Sequence, residues 1–223
     1  MHFSSALLMI LGISVAAPVS AEPLIATYEV TISKNGHADT ARFTFARDSQ
    51  TVAFIDSRKS YRDIWDLASA NQQLRLRRVV DLKRSSIEFL PSELVLRGHV
   101  PKWENLQTPF GADVLRNCEG QVTHVVECLP GDALPSKVVM RFGQTEVTWF
   151  QTALSRDKEA FSAAVSFAED YALWDAADFG DQEYDRDLQA LLPYADLDPH
   201  NPRIHSSNER RAAQQHRHDG HVH

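Results

Sequence analysis

No stretch of this sequence stays apolar for the 18 or so residues that a membrane-spanning helix needs. The longest apolar run, ALLMILGISVAA at residues 6–17, has 12 residues and lies at the start. Cysteine is nearly absent, with Cys118 and Cys128 the whole complement. Basic charge is in deficit: 23 Lys and Arg stand against 30 Asp and Glu, a net charge of −7. That balance argues against nucleic acid as a partner, because phosphate backbones are bound by clustered cations. Catalytic signatures are missing too. There is no Gly-x-Ser-x-Gly elbow, His-Glu-x-x-His pair, P-loop or dinucleotide fingerprint. The reading therefore leans away from an enzyme, although a catalytic set assembled only by the fold leaves no such trace.

The short apolar run has a use. It is followed by Val19-Ser20-Ala21 and then Glu22, the pattern of a secretory signal peptide over residues 1–21 cut after Ala21. Its charged n-region is weak, since Met1 to Ser5 contains no Lys or Arg. The expected location is the periplasm, with no transmembrane segment in the mature chain. In an oxidising compartment two cysteines default to a disulfide. Closing so short a loop is worth about 2–3 kcal/mol on the chain-entropy estimate.

From residue 22 to 154 the pattern is that of strands. ATYEVTIS and ADTARFTFA alternate on either side of an Asn35-Gly36 turn, a strong hairpin signal. TVAFIDS, LRLRRVV and SSIEFL continue the alternation, with PSELVLRG after them. Residues 101–117 lose it and read as a loop with a helical turn or two. QVTHVVEC, SKVVMRF and TEVTWFQTAL then restore it. Seven or eight strands in series predict a mainly β (α+β) fold: a curved antiparallel meander or half-barrel. Residues 155–198 are expected to be helical and packed on the sheet. Ser155 is the expected N-cap, Phe161, Ala164, Val165, Ala168, Tyr171 and Ala172 form the apolar side, and a second short helix covers Tyr184 to Leu192. Residues 199–223 hold only Ile204 and Val222 as large aliphatics, too little burial to offset ordering entropy, so a disordered tail is expected.

ATYEVTISKNGHADTARFTF, together with the late LPSKVVMRFGQTEVTWF, resembles the periplasmic lipoprotein-carrier family and its half-barrel relatives over residues 26–154. The resemblance implies a curved sheet around an apolar cavity plugged by helices, and a non-enzymatic carrier or ligand-binding scaffold. Residues from 155 onward depart from that family.

Two clusters carry candidate chemistry. The terminal HRHDGHVH brings together His216, His218, His221 and His223 around Asp219. Neutral imidazoles at such spacing suit zinc or another divalent metal; the plainer alternative is a solvated tail. Upstream, EDYALWDAADFGDQEYDRDLQ is acidic, and Asp175, Asp178 and Asp181 offer oxygen ligands. The plainer alternative there is a solvated helix end. The primary expectation is capture or relay of a divalent metal, zinc first, by tail and acids. The competing expectation is a carrier of a lipid or another apolar small molecule, its cavity lined by Trp65, Trp103, Trp149, Phe43 and Phe45. A third is an interaction module with an envelope protein partner. Arg75, Arg77, Arg78, Lys83 and Arg84 read as a solvated basic strip, with docking of the chain's own acidic region as the alternative.

Overall fold

The computed structural model describes residues 22–197, apart from 69, 71, 112–113, 116–117, 119–125 and 181–184. Ten strands form one open, curved sheet in the order β10-β6-β5-β4-β3-β2-β1-β9-β8-β7. They are β1 (Leu24–Lys34), β2 (His37–Arg47), β3 (Thr51–Asp56), β4 (Arg62–Leu67), β5 (Leu74–Val80), β6 (Ser85–Phe89), β7 (Val126–Leu129), β8 (Lys137–Phe142), β9 (Thr145–Ser155) and β10 (Ala172–Asp175). The mainly β architecture expected from the sequence is present. The sheet is mixed, however, because β10 lies parallel to β6.

The β1–β2 hairpin closes at Lys34↔His37. Its turn residues, Asn35 and Gly36, have φ of 52° and 79°, the left-handed pair that a type I′ turn demands. The β8–β9 hairpin closes at Phe142↔Thr145, and Gly143 supplies the positive φ there. Strand β4, RDIWDL, was not among the expected strands. Its acids break the hydrophobic pattern, yet Ile64 and Trp65 are both buried, on opposite faces.

Helix α1 (Pro91–Leu96) replaces the run that follows the expected meander. Proline stands at its first turn, and Gly98 (φ 66°) ends it. The Gly98 amide donates to the Val95 carbonyl (3.0 Å) and the His99 amide to the Leu94 carbonyl (2.8 Å), the paired bonds of a Schellman cap. Helix α2 (Trp103–Leu106) is the short turn expected in 101–117.

The expected helix from Ser155 to Ala172 is corrected at both ends. Ser155 belongs to β9, paired with Ile25 of β1, so the sheet satisfies its backbone. Asp157 is the cap instead, accepting from the Glu159 amide (2.9 Å), and helix α3 runs Lys158–Val165. Arg62 closes its C-terminal end by donating to the carbonyls of Ala164 (3.0 Å) and Ser166 (2.8 Å). The chain then returns to the sheet as β10, where the Ala172 amide donates to the Arg84 carbonyl (2.9 Å). An open ladder beside β6 outcompetes helix continuation there. The second short helix appears as two pieces, α4 (Arg186–Gln189) and α5 (Leu192–Ala195), with Pro193 in the first turn of α5 rather than ending a helix.

Both faces of the sheet are covered. The concave face holds the large core, including Tyr28, Phe43, Phe45, Trp65, Phe89 and Trp149. Leu94, Leu106, Phe110, Leu134, Leu191, Ala195 and Leu197 pack onto it. On the convex face Phe161 packs with Ala46, Ala53, Ile64 and Val79. The disulfide Cys118–Cys128 forms as expected and ties position 118 to strand β7, which holds Cys128.

Phe161 is the one large α3 side chain in the convex cluster. Phe161→Ala is expected to lower stability by about 3 kcal/mol, as for deleting a buried aromatic, and urea unfolding will read the loss.

Candidate functional site

The alternation of β5 places Leu74, Leu76, Arg78 and Val80 toward one face. A guanidinium therefore enters an apolar interior. Arg78 is 4% exposed and pairs with Asp63 of β4 through two bonds of 2.7 and 3.0 Å. It also donates to the carbonyls of Tyr194 (3.0 Å) and Asp196 (2.8 Å) and lies 4.2 Å from the centre of the Tyr61 ring. Burial alone would lower the Arg78 pKa, but Asp63 outweighs it and the group is held firmly charged. Removing either partner of such a buried pair costs about 3–5 kcal/mol. Arg78 thus pins the segment 194–196 across the concave face. Arg97 adds a bond to the Ala195 carbonyl (3.3 Å).

Arg75, Arg77 and Arg84 of the basic strip are engaged as well. Arg77 and Arg75 meet Asp66 (2.7 and 3.6 Å), and Arg75 also meets Glu88 (3.0 Å). Arg84 pairs with Asp170 of the acidic region. Part of the strip therefore docks the chain's own acids, the alternative to a purely solvated face.

Of the aromatic residues proposed as a cavity lining, four are packed core. Phe43, Phe45, Trp65 and Trp149 are at most 4% exposed. The Trp149 ring lies 4.9 Å from Phe43, 5.7 Å from Tyr28 and 5.3 Å from Phe110, so Phe110 fills the space beside them. Burial pushes the Tyr28 hydroxyl well above its ordinary range. Trp103 differs. It is partly exposed on α2 and lines a groove of about 440 Å³ with Leu67, Leu74, Leu94, Val95 and Val100. Val95 and Val100 are 63% and 61% exposed, an apolar rim of the kind that marks interaction sites. A second groove of about 480 Å³ shares Leu67, Gln73 and Pro91 with it and is lined by Thr51, Asp66 and Arg75. The joined trough is apolar at the α1–α2 end and polar at the β3–β4 end. No motif announces it: its walls come from β4, β5, α1, α2 and the loops beside them.

The acidic candidates fall differently. Asp175 ends β10 and Asp178 lies in the 3₁₀ turn Ala176–Gly180, so they do not share a helix face. Asp175 accepts from the Ala177 amide (2.9 Å), and Asp178 accepts from the Asp175 amide (3.4 Å). Each carboxylate serves its own turn. Among the described residues no group of three or more His, Cys, Asp or Glu side chains could hold a metal ion. Asp181, Asp219, His216, His218, His221 and His223 lie outside the described residues.

No protein-family model matches the chain, and no curated protein sequence does either. Among solved structures, PNGF-II in a P21 and in a C2 crystal form aligns with TM-scores of 0.36 and 0.35 at 9% and 8% identity. The alignments cover 73% and 70% of this chain but only 33% and 31% of those chains. The chain therefore spans about a third of their length, and likeness this slight carries no functional argument.

His99, in the loop after α1, packs 5.7 Å from Trp65. Burial lowers its pKa, Asp63 opposes that shift, and Arg78 adds to it. A folded-state pKa below the unfolded value of 6.5 means that the unfolded chain binds the proton first. His99 thus contributes stability above pH 6.5 that is lost as the pH falls through the window below it. His99→Gln is expected to flatten the decline between pH 7.5 and 5.5; urea midpoints at the two pH values check this.

Proposed function

We propose that this protein is a non-enzymatic binding protein of the cell envelope that takes an apolar ligand in the groove between β4, β5, α1 and α2. The observation that carries the reading is the groove's make-up. Its volume of about 440 Å³ falls in the range of small-molecule sites, and its rim keeps Val95 and Val100 in solvent. A monomeric surface exposes such a cluster at a cost unless something covers it. Burial of a hydrocarbon chain there gains about 0.8 kcal/mol per methylene. The filled aromatic core serves as the rigid wall behind the groove rather than as the cavity itself. The signal-peptide pattern supports an exported protein, and the periplasm is the proposed location.

The uncharged probe N-phenyl-1-naphthylamine is expected to bind with micromolar affinity and rising emission. Val100→Asp, a change at an exposed position, is expected to weaken binding about tenfold, because the carboxylate must be desolvated. Unchanged emission with the wild-type protein, or equal affinity in the variant, counts against the groove.

The four histidines of 216–223 support a second reading, capture of zinc or another divalent metal. The local duties of Asp175 and Asp178 leave the tail as its main support. Zinc calorimetry on the chain from Glu22, beside one ending at Asn208, is expected to show sub-micromolar binding that disappears on truncation. Equal binding in both would move the metal to the acids of 175–187, and none in either would remove this reading.

A further inference from the structure

The groove lined by Trp103 and its polar neighbour form one trough, because Leu67, Gln73 and Pro91 line both. Strand β4 ends at Leu67, and the wall changes character there. Asp66 lines only the polar end, together with Thr51 and Arg75. Leu74, Leu94, Val95, Val100 and Trp103 make the other end apolar. A ligand that fills the whole trough therefore has two parts, a hydrocarbon and a hydrogen-bonding head.

The charges of the wall decide which head it takes. Asp66 and Arg75 line the polar end, and Lys102 and Glu104 line the apolar end, so each end carries one acid and one base. At the polar end the charges are already matched. Asp66 accepts from Arg77 Nε (2.9 Å) and Nη2 (2.7 Å) and from the Thr51 hydroxyl (3.2 Å). Glu88 lies 3.0 Å from Arg75 Nη1. Two guanidiniums thus stand against two carboxylates. Arg75 Nη2 is 3.6 Å from Asp66, beyond hydrogen-bond reach, and the Arg75 side chain is 45% exposed. Donor capacity remains there without net charge. An anionic head would meet Asp66 beside Arg75, and a cationic head would meet Arg75 beside Asp66. Either would lose hydration and gain no uncompensated partner. A hydroxyl-bearing head has no charge to desolvate and can both donate and accept.

We propose that the trough binds a single-chain amphiphile with an uncharged, hydroxyl-rich head, of the class of monoalkyl glycosides and monoacylglycerols. Its chain lies along Leu74, Val100 and Trp103, and its hydroxyls exchange hydrogen bonds with Arg75 and Thr51. The inference rests on the apolar-ligand reading. It adds the chemistry of the head, and with it a discrimination against ionic chains of equal length.

The test displaces N-phenyl-1-naphthylamine from the chain starting at Glu22 with three ten-carbon chains, each kept below its micelle concentration: decyl β-D-glucoside, decanoate and decyltrimethylammonium. The glucoside is expected to displace the probe at a concentration at least tenfold lower than either ion. Arg75→Met removes the donor and leaves the polar end with a net negative charge. It should weaken the glucoside several-fold and strengthen the trimethylammonium chain. Thr51→Val removes a hydroxyl and no charge, and it should weaken the glucoside about fivefold, the worth of one neutral hydrogen bond, while sparing both ions. Equal displacement by all three chains, or a stronger effect of either ion, overturns the uncharged head and leaves the groove reading standing. A glucoside preference that survives both substitutions overturns it as well. No emission from the naphthylamine probe in the first place removes the groove and the head together.

Discussion

The sheet depends on β1 having two partners. Its eleven residues pair with β2 on one side, and Ile25 to Lys34 pair with β9 on the other. The first pairing is local and closes through two residues with left-handed backbone. The second joins Ile25 to Ser155 across most of the chain. Every other strand hangs from this trio in a single curved order, so the concave face is continuous from β10 to β7. Tyr28 shows what that continuity achieves. It is fully buried, it packs edge-on against Trp149 and Phe110, and its hydroxyl donates to the Pro135 carbonyl (3.0 Å).

A curved apolar face must be covered, and the molecule uses backbone carbonyls clasped by arginines to do it. Arg78 holds 194 and 196, Arg97 holds 195, and Arg47 holds 107. In each case the cation comes from the sheet or from α1, and the acceptor belongs to a covering segment. Two of the three arginines have carboxylates of their own. The third forms no ion pair among the described residues and holds its covering segment through a neutral carbonyl alone.

The acids of the C-terminal third have a similar division. Asp157 and Asp185 cap helices, Asp175 and Asp178 satisfy their own turn, and Asp170 reaches Arg84. A dense run of carboxylates in the sequence becomes, residue by residue, a set of local fasteners. Acidic side chains are common at helix starts and turns because their oxygens accept backbone amides there. A cluster in sequence is thus weak evidence for a cluster around a metal.

Strand periodicity, the Asn35-Gly36 and Gly143-Gln144 turns and the pairing of Cys118 with Cys128 were all legible in the sequence, because each rests on contacts between near neighbours or on a count of two. Arg78 was read as part of a solvated strip and is buried instead, although it shares the period of Leu74 and Leu76. The helix after Ser155 was overextended, because helical spacing continues into Ala172 while the competing partner, the edge of β6, lies over 80 positions away. Strand β4 was hidden because its acids are neutralised by arginines of the next strand. The groove was beyond reach for the same reason. It joins residues from β4, β5, α1, α2 and the loops beside them, and no local pattern records which of them the fold brings together. Local backbone preference and side-chain alternation determined the elements; long-range pairing and the covering of the concave face decided which side chains were left with something to bind.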